Sequence, residues 1–171
     1  MLIPVFVSAP SIDNLNADQQ TTYDAIVSNL ADLGLEARAL GKSDYPDEFP
    51  LKEVIHLARH CAGAVILGFV QFVAPRGTVK PGAREAKVVE DVSFPTPWNR
   101  LEAGILFSLR LSVLVFKEKG ISGGIFDEGV TDVFVNKMPT AADLDKRGGG
   151  ARQVLLKWQA RVRGRYYDWE K

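Results

Sequence analysis

Ala62-Gly63-Ala64-Val65-Ile66-Leu67-Gly68-Phe69-Val70-Gln71-Phe72 is the most apolar run of the chain. An unbroken apolar run of this kind marks a strand covered on both faces, because a strand with one wet side alternates instead. The run therefore predicts the central strand of a sheet. Just before it, Leu51, Val54, Ile55 and Ala58 recur at helical spacing, and Gly41 to Pro50 is a loop rich in turn residues. Further upstream, Ile3 to Ser8 reads as a first buried strand, ended by Ala9-Pro10-Ser11. Asp13 to Asn16 offers helix caps, and Tyr23, Ile26, Val27, Leu30 and Leu33 mark a helix that Gly34 stops. Leu35 to Leu40 alternates apolar and charged residues, as a half-exposed second strand does.

Downstream, Val73 to Pro97 is a long segment for a compact domain, which predicts a functional or mobile insertion. A helix follows from Trp98 to about Leu109, then a buried fourth strand from Ser112 to Phe116. Lys117 to Gly129 is a Gly-rich loop, and Val133-Phe134-Val135 is a short candidate fifth strand. Arg147-Gly148-Gly149-Gly150 breaks the chain before a last helix that turns Val154, Leu155, Trp158 and Val162 to one side. Strands alternating with helices predict a parallel sheet with helices on both faces, joined by right-handed crossovers. The expectation is one α/β domain over residues 1–171, a flavodoxin-like doubly wound three-layer fold with about five parallel strands. In that fold ligands bind beyond the carboxyl ends of the strands, where the strand order reverses. Ser8 to Asn16 and Phe72 to Trp98 are the segments there.

Composition narrows the function. The 171 residues carry 21 Lys plus Arg and 21 Asp plus Glu, a formal net charge of zero. Such a balance argues against a whole-domain grip on nucleic acid or an anionic membrane. Hydrophobic residues make up 46%, enough for a real core, yet no apolar run approaches the length that spans a bilayer. Met1 to Val7 lacks a positive n-region and a full h-region and reads as the first strand, not a signal peptide. Cys61 is the single cysteine, so no disulfide forms within the chain, which fits a reducing, cytoplasmic setting.

Thr96-Pro97-Trp98-Asn99-Arg100-Leu101-Glu102-Ala103-Gly104 opens the helix after the central strand. Thr96 or Pro97 begins it, since proline is tolerated where the first N–H groups have no partner. Trp98 and Glu102 then stand one turn apart, with Leu106 and Leu109 continuing the side and Ile105 flanking it. Glu102 thus heads an apolar stripe, where an unpaired charge is costly. The plain reading is a carboxylate paired with Arg100 or Lys87 at the rim of a structural helix. The functional reading is a carboxylate that holds a ribose diol, or stabilises the oxocarbenium-like transition state of a breaking glycosidic bond. Trp98 would then supply a stacking face for a base. The helix dipole favours the ionised form of Glu102, and its apolar flank favours the neutral one.

Other candidates are weaker. His56 and His60 have the spacing of metal ligands on a helix, but no Glu follows His56 and no third ligand is evident, so an ordinary helix surface is expected and no metal. Cys61 suits the core. Ile121-Ser122-Gly123-Gly124 could cradle a phosphate through its N–H groups, though a plain turn accounts for it better, and Asp127 could reach a ribose. Arg161 to Tyr167 mixes cations with aromatics, which a solvated helix end or a homotypic contact explains better than nucleic acid does. Tyr23 and Trp158 are core positions.

The chain resembles a TIR domain of the divergent bacterial kind. Val5-Phe6-Val7-Ser8 resembles that family's first strand, and Lys42, Asp44 and Pro46 its basic-acidic-proline loop after the second strand. Ala64 to Leu67 resembles the third strand, and Trp98 and Glu102 match the aromatic and the catalytic glutamate that open the third helix. The resemblance implies cleavage of NAD, as a substrate and with no cofactor, at the nicotinamide–ribose bond. It implies products such as ADP-ribose or cyclised or conjugated signals, a role in anti-phage defence, and self-assembly into a homo-oligomer. It implies Glu102 as the catalytic carboxylate, and Ser8, Ser11, Trp98, Asn99 and Asp44 as substrate-binding residues. The alternative is the nucleoside 2-deoxyribosyltransferase group, which shares the architecture and places a nucleophilic glutamate on the corresponding helix. Its acidic residue just upstream is missing from Thr96-Pro97-Trp98-Asn99. A non-catalytic nucleotide-sensing adaptor is the reading from another class.

Overall fold

Residues 3–8 form the first strand, β1 (Ile3–Ser8), in a computed structural model that describes residues 2–40, 50–131 and 135–169. Asn16 caps the helix α1 (Ala17–Asp32) and shares a reciprocal capping box with Gln19. Gly34, with φ at +76°, turns the chain out of α1 and into β2 (Leu35–Arg38), a conformation that glycine adopts without strain. Helix α2 (Pro50–Arg59) buries Val54, Leu57 and Ala58, whereas Leu51 stays 43% exposed. The expected central strand is β3 (Gly63–Gly68), buried at all six positions. A two-stranded ribbon follows, β4 (Phe72–Val79) and β5 (Lys87–Phe94), then helix α3 (Pro97–Ser108). Strands β6 (Ser112–Lys117) and β7 (Val135–Lys137), a short helix α4 (Ala141–Asp145) and the long α5 (Gly150–Trp169) complete the chain.

The main sheet is parallel throughout, in the order β2-β1-β3-β6-β7. This is the flavodoxin-like order, and it puts β3 in the centre. Period-two alternation splits the strands between two cores. Val5, Val7, Val65, Leu67, Leu114 and Phe116 face α1, α4 and α5, meeting Ile26, Leu30, Leu144, Leu155 and Trp158. Phe6, Ala64, Ile66 and Val115 face α2 and α3, meeting Val54, Ala58, Ala103 and Leu106. Each fully buried Leu, Ile or Phe contributes about 1.5–3 kcal/mol, so the two cores together dominate the stability. Cys61, Tyr23 and Trp158 are all in these cores. Among the described residues no helix is long and apolar enough to cross a membrane.

The structure adds detail at three places. The Val73 to Pro97 segment carries a two-stranded ribbon. Its Val-rich arms pair antiparallel, from Phe72 opposite Phe94 to Val79 opposite Lys87, around a loop over 80–86. The fifth strand is Val135–Lys137, and of the expected Val133 to Val135 only Val135 lies within the described residues. The short α4 carried no periodic signal, and the capping box of Thr140 with Asp143 is its only sequence mark.

Candidate functional site

Helix α3 starts as its sequence dictates. Thr96 is the N-cap, its side chain accepting from the Asn99 N–H at 3.2 Å, and Pro97 sits at the first helical position. The face that the helix buries is Asn99, Glu102, Ala103 and Leu106, at i, i+3, i+4 and i+7. Leu106 is fully buried, while Ile105 and Leu109 are half-buried against the same core. Trp98 is not part of the packed stripe. It is 45% exposed and stands at the rim of a cleft that Glu102 also lines.

That cleft, of about 710 Å³, opens beyond the carboxyl ends of β1 and β2. The turn after β1 forms one wall, with Pro10, Ser11, Asp13 and Asn14, and Thr96, Trp98 and Glu102 form the other. This is where a doubly wound sheet receives its ligands.

Glu102 is only 9% exposed. Burial pushes its carboxyl up from 4.5 to about 7, and a hydrogen bond from Ser8 pulls weakly the other way. The balance that the sequence left open thus falls to desolvation. Arg100 does not pair with it: its guanidinium donates to the Ser122 carbonyl at 3.0 Å and lies over the Phe94 ring. Lys87 is out on the ribbon. The structural ion pair that would have made Glu102 commonplace is therefore not formed with either of the cations considered.

Ser8 and Asn99 stand behind the carboxylate and not in the cleft. Both are 1% exposed. The Asn99 side chain donates to Ser8 Oγ at 2.8 Å, and accepts at its Oδ1 from the Thr96 hydroxyl at 3.2 Å. With its oxygen accepting from Asn99, the Ser8 hydroxyl has its proton free for Glu102. Thr96 donates to Asn99 and Asn99 to Ser8, and Ser8 in turn favours the ionised form of Glu102. Ser11 is exposed on the cleft wall, where its Oγ accepts from Asn14 at 3.1 Å. Asp44 lies outside the described residues. Glu102, Trp98 and Ser11 thus meet at the cleft, and Ser8 and Asn99 support Glu102 from below.

Sequence reasoning passed over Asp13. It was counted as a possible helix cap, but Asn16 caps α1, and Asp13 is left exposed on the cleft wall. Only its position after β1 could have flagged it.

The other candidates are occupied elsewhere. The Gly123 N–H, which a phosphate would need, donates to Asp127 Oδ1 at 2.8 Å, so both residues close their own loop. His60 Nδ1 is 2.8 Å from the His56 carbonyl oxygen, and neither ring reaches the cleft. Arg165 donates to the carbonyls of Leu109 and Arg110, holding α5 against the end of α3.

No protein-family model matches the sequence, and no curated protein matches it either, so the TIR resemblance rests on its few residues. Two solved structures are similar in fold. One is the CMP N-glycosidase BcmB of Clostridium botulinum, at 11% identity and a TM-score of 0.52, covering 90% of this chain and 98% of that one. The other is a diflavin flavoprotein A3 from a Nostoc species, at 16% identity and a TM-score of 0.43, covering 96% of each chain. At 11% identity the likeness to the glycosidase is one of fold, and the second match, with its lower TM-score, carries no argument.

Proposed function

We propose that this chain is an N-glycosidase that breaks the base–ribose bond of a nucleotide, with Glu102 as the carboxylate that meets C1′. One observation carries the reading: a buried glutamate with a pKa of about 7, steadied by Ser8, at the open cleft of the sheet. Ionised Glu102 faces the sugar carbon as the bond lengthens and positive charge develops there. The bonding electrons leave with the base, which takes a proton from water. Water then adds at C1′ and gives the free sugar phosphate. Trp98 offers its exposed face to the departing base. The likeness in fold to a CMP N-glycosidase supports a nucleoside monophosphate as the first substrate class to test.

NAD, the substrate implied by the TIR resemblance, is broken at the same kind of bond. Trp98 and Glu102 support that reading as well as they support a monophosphate, so one assay covers both. Purified protein is incubated with the ribo- and deoxyribonucleoside monophosphates, the free nucleosides and NAD, and the released base is followed by chromatography. The expected result is base release from a monophosphate that Glu102→Gln abolishes. Release from none of these substrates, or release that Glu102→Gln leaves intact, overturns the reading.

A further inference from the structure

The β4–β5 ribbon has no part in the proposed chemistry. Among the described residues its strands pair only with each other, apart from one bridge between Ser93 and Ile121 at its root. No residue of either strand is buried, and Phe72, Val73, Val79 and Val88 are exposed apolar side chains. A lone two-stranded ribbon is marginal in water, and a bare apolar edge is a template for another strand.

Pro75 of β4 has no N–H to give, and the ladder between the two strands skips the pair it would make with Asp91. The β5 edge is unbroken over Lys87-Val88-Val89-Glu90. Asp91 is left-handed, with φ at +51°, and marks where the free edge ends before the Ser93 bridge.

The charge order along that edge selects its occupant. Two copies of one strand, paired antiparallel about a two-fold axis normal to the sheet, keep their faces. Each residue then lies opposite one an even number of positions away. With the axis at Val89, Val89 meets its own copy and Lys87 lies opposite Asp91 on both sides. With the axis at Val88, Lys87 would meet Val89 and Glu90 would meet Ala86, so neither charge would be matched. We propose that the chain forms a two-fold homodimer in which the β5 edges of two copies pair antiparallel about Val89, fusing two ribbons into a four-stranded sheet. The matched charges set the register, since opposite charges directly across a strand pair are favoured and like charges are not. The interface is independent of the proposed reaction.

The test is covalent and needs no ligand. Val89→Cys brings two thiols together at the axis, within disulfide reach of an antiparallel pair. The native Cys61 is fully buried and does not compete. Under a mild oxidant such as diamide, Val89→Cys is expected to give a species of twice the 18.8 kDa chain mass. Val88→Cys, opposite Glu90, is expected to give none. Sedimentation of the unmodified chain is expected to show a dimer, which Lys87→Asp dissociates by placing two acids across the pair. Adding Asp91→Lys to Lys87→Asp restores the dimer. A wild-type monomer, equal cross-linking at positions 88 and 89, or a dimer indifferent to Lys87→Asp overturns the proposal.

Discussion

The Asn99 side-chain amide donates to Ser8 Oγ across 2.8 Å and so joins the start of α3 to the end of β1, 91 positions apart in the chain. Asn99 also has the Leu67 carbonyl at 3.5 Å and the Thr96 hydroxyl at 3.2 Å, so its amide is engaged on both sides. Asn99→Leu keeps the volume and removes both functions, leaving the buried Ser8 hydroxyl short of a donor. Such a loss costs about 1–3 kcal/mol. In a chain of this size each kcal/mol lowers Tm by about 2–4 °C. Thermal unfolding should therefore show a drop of several degrees. An unchanged Tm would mean that the link does not hold the two elements together.

The pH dependence of base release should report Glu102. Only the ionised carboxylate can meet a cationic C1′, so kcat/KM is expected to rise with pH through about 7 and to level off above it. The hydrogen bond from Ser8 favours the ionised form, hence Ser8→Ala should move this limb to higher pH. A flat profile from pH 5 to 9, or a limb that Ser8→Ala moves downward, would remove Glu102 from the role.

Glu102 should also cost the fold stability, and in a defined window. Its folded pKa of about 7 lies above the ordinary value of 4.5. Between those values the folded chain holds a proton that the unfolded chain has released, so stability falls as pH rises from 4.5 to 7. The full penalty above pH 7 is on the order of 3 kcal/mol. Glu102→Gln carries no such charge. Urea unfolding of both proteins should give a variant no more stable than wild type near pH 4.5 and more stable at pH 8. Because all other carboxyls are shared, they cancel in the difference. A gap that does not widen with pH would show that Glu102 ionises in the folded chain as it does in the unfolded one.

What could be read in advance was what local pattern determines. The apolar run at Ala62 to Phe72 specified a doubly covered strand, Gly34 specified a helix end, and Thr96-Pro97 specified a helix start. The ribbon was unreadable for a physical reason. No residue of either strand is buried, so little burial contrast between its faces was there to write an alternation into the sequence. The site was half legible. Trp98 drew attention because it is large, yet the residue that α3 buries beside Glu102 is the small amide of Asn99. Its partner Ser8 and the cleft residue Asp13 come from the other end of the chain, and no local spacing encodes that meeting.

Trp98 has a role that stability and affinity separate. Its ring is 45% exposed on the cleft rim and outside both cores, so Trp98→Ala should move Tm by little. Exposed positions away from packed features typically change stability by within about 0.5 kcal/mol. Binding should respond differently. A base stacked on an aromatic face is worth about 1–3 kcal/mol, which corresponds to a KM raised roughly 5- to 150-fold. Because the stack holds the base in the ground state as well as on the way out, kcat should fall less than KM rises. Trp98→Phe keeps a face for stacking and should recover most of the loss. Steady-state kinetics of the three proteins on the accepted nucleotide, with Tm measured alongside, decides the matter. A KM untouched by Trp98→Ala would place the base elsewhere in the cleft, against the Pro10 and Ser11 wall.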